Sequence, residues 1–164
     1  MIKIKEYPKL SKVWNKLTKQ LPKEYRSIQI LVAFNNMKDY ELRKGGYANK
    51  NIIVIGKELA DLKNEYIYLT LLAHELGHHV LGHMIKYDES NSSNEYDADM
   101  FGLFLAMKAG YDKNKYLKAS EEFENWRRKG INKNHVKSHN TGKARNKFLE
   151  DQIKYINEIN ENNS

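Results

Sequence analysis

Residues 9–21 place Leu10, Val13, Trp14, Leu17 and Leu21 at spacings of three and four, which predicts an amphipathic helix stopped by Pro22. The pattern then changes. Residues 27–35 (SIQILVAFN) and 51–59 (NIIVIGKEL) are short β-branched and aliphatic runs bounded by Asn, Gly and charge, and these predict strands. The stretch RKGGYANKN between them reads as turn chemistry. From Asn64 onward the period is helical. One long helix is expected to about residue 85, then a loop over YDESNSSN (residues 87–94), then helices near residues 95–109, 113–129 and 143–159, with Gly110 as a C-terminal stop. This order predicts an α+β chain: a small antiparallel-containing sheet packed on a mainly helical domain, with residues 1–164 as one domain.

Composition narrows the chemistry. There is no cysteine, which excludes thiolate metal sites, cysteine nucleophiles and disulfides, so any metal must be held by His, Asp or Glu. Net charge is +7 at pH 7, yet Lys and Arg are scattered among Asp and Glu, and the tightest cluster, WRRKG at residues 126–130, is too short for a phosphate-tracking stripe. Nucleic-acid binding is therefore not expected as the main function. The start, MIKIKEYPKL, interleaves charge with isoleucine where a signal peptide would be apolar, and no stretch approaches the roughly 18 apolar residues of a membrane span. A soluble, cytoplasmic protein is the expectation.

Against this background, residues 73–83 (AHELGHHVLGH) hold four of the six histidines and one glutamate. On a helix, His74 and His78 lie one turn apart and within roughly 40° of each other, so two imidazoles can grip one ion. Glu75 sits beside them, placed to reach a water on that ion without entering its coordination sphere. This is the H-E-x-x-H arrangement of zinc peptidases, which chance alone would produce in about 2 of 100 chains with this histidine and glutamate content. Gly77 between the ligands would let another element approach closely. A catalytic zinc needs a third protein ligand. On a continuing helix His83 points about 180° and His79 about 140° away from His74, so both read as exposed or locally hydrogen-bonded. Downstream, NEYDADMFG offers Glu95 and Asp99 at helical spacing: Glu95 as the third ligand, Asp99 as acceptor of the spare N–H of a ligand histidine, His74 by preference, with Asp97 on a solvated face.

The segments LLAHELGHHVLGH and NEYDADMFGLFLAMKAGYD together resemble the gluzincin peptidases of the CAAX prenyl endopeptidase and HtpX heat-shock protease family. In its HELGHHVLGH style the chain is also similar to phage-immunity and radiation-response regulatory peptidases. The resemblance covers residues 27 to about 149 and implies a zincin-like domain with one Zn2+ per chain on His74, His78 and Glu95, Glu75 as base, and Asp99 behind the ligands. It extends to VKSHNTGKAR, where His139 would be the counterpart of a residue that helps hold the transition-state oxyanion and Arg145 would anchor that loop; Asn140 stands where the family has proline. It also implies an edge strand above the active-site helix, at residues 47–54, on which a peptide substrate pairs its backbone. The membrane spans of the prenyl and heat-shock proteases are absent, and only 16 residues separate His78 from Glu95, which makes this a pared-down relative.

The function expected is thus a zinc metalloendopeptidase acting on a protein or peptide, with Glu75 moving the proton of an activated water. The alternative is a non-catalytic regulatory or binding module for protein or DNA that keeps a zincin fold. Glu75 favours the enzyme, because a structural site needs no base.

Overall fold

The computed structural model describes residues 2–32, 46–49, 51–83, 92–129 and 142–163. A short strand, β1 (Ile2–Lys3), and a 3-10 turn (Ile4–Glu6) lead into α1 (Pro8–Thr18), whose proline occupies the first turn, where no backbone donor is needed. Leu10, Val13, Trp14 and Leu17 are its buried face. The helix stops short of Leu21, at Thr18, whose hydroxyl donates back to the Trp14 carbonyl at 2.9 Å. A second 3-10 turn (Lys23–Ser27) then feeds β2 (Gln29–Val32).

β3 (Gly46–Asn49) and β4 (Ile52–Ile55) form an antiparallel hairpin with Gly46 opposite Ile55 and Asn49 opposite Ile52. Two expectations change here. Part of the segment read as turn chemistry is a strand, and the single strand expected over residues 47–54 is two strands, because the chain reverses between Asn49 and Ile52. The sheet order is β1-β2-β4-β3. Its central pair is parallel, with Gln29 opposite Ile52 and Val32 opposite Ile55, whereas β1 joins β2 antiparallel. The antiparallel-containing sheet expected from sequence is corrected at its centre: periodicity marks a strand's faces and says nothing of its direction. β3 lies at the edge and packs beside the long helix that follows.

After a single helical turn, α2 (Lys57–Ala60), comes α3 (Glu65–Val80), started by the Asn64 side chain accepting from the Ile67 N–H at 3.1 Å. Tyr68 fixes the α2–α3 corner, donating to the Ala60 carbonyl and accepting from the Lys63 N–H. Residues 67–73 of α3 are all buried, so the helix runs through the core with no solvent face along that stretch. It ends at Val80, earlier than the expected residue 85, where Gly82 turns left-handed at φ +74. α4 (Ser92–Lys108) begins inside the stretch expected to be loop and ends at Gly110, φ +89, whose N–H bonds the Met107 carbonyl. α5 (Lys113–Arg128), capped by Asp112, and α6 (Gly142–Asn162) complete the chain. Helices α1, α4 and α5 surround α3, and α6 packs on α4 and α5. One continuous core runs from Leu10 through Val32, Ile55, Leu72 and Leu103 to Ile153. Among the described residues no helix is long and apolar enough to cross a membrane. The architecture is α+β and mostly helical.

Candidate metal centre

The centre is built on the seam between α3 and α4. A Cβ on Gly77 would sit 2.7 Å from the Ala98 carbonyl oxygen, and one on Gly102 would sit 3.0 Å from the Ala73 carbonyl carbon. Each helix thus presents a glycine to a small residue of the other, and the two backbones approach more closely than ordinary side chains allow. That approach carries Glu95, in the first turn of α4, up to the two histidines one turn apart on α3.

His74 Nε2 and His78 Nε2 are 3.0 Å apart. Glu95 closes the triangle, with Oε2 3.3 Å from His74 Nε2 and Oε1 3.2 Å from His78 Nε2. Donors on a tetrahedral ion about 2.0–2.1 Å away are separated by about 3.3 Å, and the 3.0 Å between the imidazole nitrogens and the 3.2–3.3 Å from each to its nearer Glu95 oxygen are of that size. The group is partly buried and could hold a metal ion. Two imidazoles and one carboxylate are the donor types that suit a borderline cation such as zinc, with a fourth position left over.

Behind the donors stands an ion network. Asp99 Oδ1 is 2.8 Å from His74 Nδ1 and, since a carboxylate can only accept, Nδ1 donates and Nε2 faces the other donors. Arg145, from α6, grips Asp99 with two bonds of 2.6 Å, Nε to Oδ2 and Nη2 to Oδ1, and its Nη1 lies 3.3 Å from Glu95 Oε2. Burial and the Arg145 charge lower the His74 pKa, but Asp99, by charge and hydrogen bond, and a hydrogen bond to Glu95 outweigh them and raise it to about 9. Burial raises the Asp99 carboxyl, while the Arg145 hydrogen bonds and His74 bring it down to about 2. Arg145 itself is pushed further up despite its burial, chiefly by Asp99.

Beside this network a pocket of about 90 Å³ opens between α3, α4, α5 and α6. Glu75, only 7% exposed, lines it together with His74 and Glu95. The site residues expected from sequence are therefore brought together at His74, Glu75, His78, Glu95 and Asp99, and Asp97 is exposed. Arg145, expected as a loop anchor, bonds Asp99 and sits 3.3 Å from Glu95. His139, along with Ser138, Asn140 and His135, lies outside the described residues.

His83 is locally hydrogen-bonded, as one of the two expected readings had it, but it turns toward the ligand pair instead of away, and His79 departs from the reading altogether. Because α3 ends at Val80 instead of continuing, the chain folds back and His83 Nδ1 comes within 2.9 Å of His78 Nδ1. His79 is half-buried, not exposed, and its Nε2 has no hydrogen-bond partner among the described residues; burial lowers its pKa. Gly82 is the one sequence signal that could have placed His83, since a glycine there can end the helix. Arg127, which lines the pocket, stood in sequence only as part of the short basic run WRRKG and carried no site motif. Compared with known proteins, the chain matches no family model, no curated protein and no solved structure.

Proposed function

We propose that the chain is a zinc-dependent metalloendopeptidase, with a zincin-like arrangement of α3 and α4, that hydrolyses peptide bonds of a protein or peptide. The observation that carries this is the meeting of His74 Nε2 and His78 Nε2, 3.0 Å apart, with the Glu95 carboxylate, Oε2 3.3 Å from the first and Oε1 3.2 Å from the second, beside a pocket lined by His74, Glu95 and Glu75. When bound there, zinc supplies an acidified water and polarises a carbonyl. Glu75 takes the proton of the attacking water and passes it to the leaving amine. Asp99 keeps the His74 proton on Nδ1, so that Nε2 offers its lone pair to the ion. Arg145 holds Asp99 in place from behind through two hydrogen bonds. A site that only held a metal for structure would have no use for Glu75, and this favours the enzyme over a binding module. β3, at the sheet edge beside α3, offers backbone groups with which an extended peptide can pair.

The test separates binding from chemistry. Glu75→Gln should retain zinc at wild-type stoichiometry, about one per chain by elemental analysis, and lose peptide hydrolysis by about 10²-fold or more. Glu95→Ala should lose zinc as well, because it removes a ligand. Wild-type hydrolysis rates in Glu75→Gln, or no zinc on the wild-type chain after loading at neutral pH, would overturn the reading.

A further inference from the structure

Beside the donors, the pocket holds one cation that bonds no described residue. Leu71, Phe123 and Leu149 give it apolar walls. Its two small hydroxyls are spent: Thr70 donates to the Ile67 carbonyl at 2.9 Å and Ser120 to Asn146 Oδ1 at 2.7 Å. Arg145 is spent too, on Asp99 and Glu95. Arg127 lines the same pocket, is partly buried, and makes no hydrogen bond or ion pair with any described residue. A partly buried guanidinium beside apolar walls favours a carboxylate that can take two of its N–H groups. Charge agrees: three carboxylates (Glu75, Glu95 and Asp99) face two guanidiniums and, when occupied, a divalent ion, which leaves the pocket one positive charge in excess.

We propose that this pocket is a carboxylate-recognising subsite for the substrate and that Arg127 sets its specificity; the proposal rests on the metallopeptidase reading. The carboxylate comes either from an Asp or Glu side chain near the scissile bond or from the substrate's C-terminus. The experiment measures kcat/KM of the zinc-loaded full chain on matched peptides carrying Glu, Gln or Lys at each position flanking the scissile bond, each made with a free and an amidated C-terminus. Wild type should favour a carboxylate over its amide by about tenfold or more, R127Q should level that preference, and R127E should favour Lys. Preference that follows internal Glu assigns the side chain; preference abolished by amidation assigns the terminus. Cleavage by wild type without any carboxylate preference, or a preference that survives R127Q, overturns the subsite alone. Cleavage of no peptide at all defeats the peptidase reading beneath it.

A separate contact supports a second inference. For His78 Nε2 to offer a lone pair beside His74, its proton must sit on Nδ1, and the atom facing that proton is His83 Nδ1 at 2.9 Å. His83 then accepts and carries its own proton on Nε2. The left-handed turn at Gly82 is what brings the ring back. We infer that His83 is a positioning residue for His78, as Asp99 is for His74. Zinc affinity, measured by competition with a chelator, should fall about 10- to 100-fold in H83A and recover in H83N, whose amide oxygen can accept the same hydrogen. Circular dichroism of the metal-free variants checks that they fold. Equal zinc affinity in wild type and H83A overturns the inference, as does a loss that H83N fails to restore.

Discussion

In the metal-free chain His74 is an imidazolium up to about pH 9, because Asp99 outweighs the burial that would discharge it. An imidazole must be unprotonated to ligate, so on the proposed reading a zinc ion would have to displace that proton. Zinc affinity should therefore climb about tenfold per pH unit between pH 7 and 9 on account of this one group, as read by chelator competition. The same shift works on stability in the metal-free chain. A pKa raised in the fold adds stability that is complete below the unfolded value of about 6.5 and is lost as pH rises through about 9. Asp99→Asn removes the charge that holds the proton, and should lower the His74 pKa, seen by NMR titration of the metal-free protein, flatten the rise of zinc affinity between pH 7 and 9, and weaken zinc about 10- to 100-fold at pH 9 and above, where the proton no longer competes. At this scale the sequence was informative for a physical reason. The pairs His74 with His78 and Glu95 with Asp99 each sit on one helix, where spacing alone fixes which side chains share a face. His83 escaped because its direction depends on where the helix stops.

Between elements, the decisive feature is the seam of α3 and α4. Gly77 faces Ala98 and Gly102 faces Ala73, and neither helix can carry a larger residue there without moving the other. Gly77→Ala gains helix propensity, yet its new Cβ meets a backbone oxygen at 2.7 Å, which no rotamer change can relieve. The clash should win: a net loss of about 1–3 kcal/mol in urea unfolding, together with weaker zinc, since the shift separates Glu95 from the histidines. A control at Gly110, where a Cβ would meet open space but φ is +89, should cost stability through the backbone alone and leave zinc affinity unchanged. Gly77 was legible as a place of close approach, while its partner Gly102 looked like any mid-helix glycine until α4 was laid against Ala73. The sheet was read least well. Short aliphatic runs such as QILV and IIVI show that strands exist and which faces they bury, but whether neighbours run parallel is decided by connections that periodicity does not describe.

Across the whole molecule, Arg145 ties the last helix to the first histidine of the motif, 71 residues earlier in the chain, through Asp99. Asp99 is 5% exposed, so removing Arg145 takes both guanidinium hydrogen bonds from a buried carboxylate and leaves it, among the described residues, with His74 as its remaining charged partner. Arg145→Ala should cost about 3 kcal/mol in unfolding of the metal-free protein, more than any exposed pair such as Lys147–Asp151, whose loss should cost below about 1 kcal/mol. The α+β order was visible in sequence as a change of period, and the docking of α6 was not, since its amphipathic pattern says that one face is buried without saying against what. Leu149 and Ile153 seat that face in the core, and Arg145, one turn before Leu149, follows the same face inward. Synthesis runs in the other direction from this dependence. On the ribosome the histidines, Glu75, Glu95 and Asp99 all emerge before the guanidinium that holds them in register, so a growing chain carries every donor while lacking the clasp, and the centre takes its final geometry only once the C-terminal helix has been made and has docked.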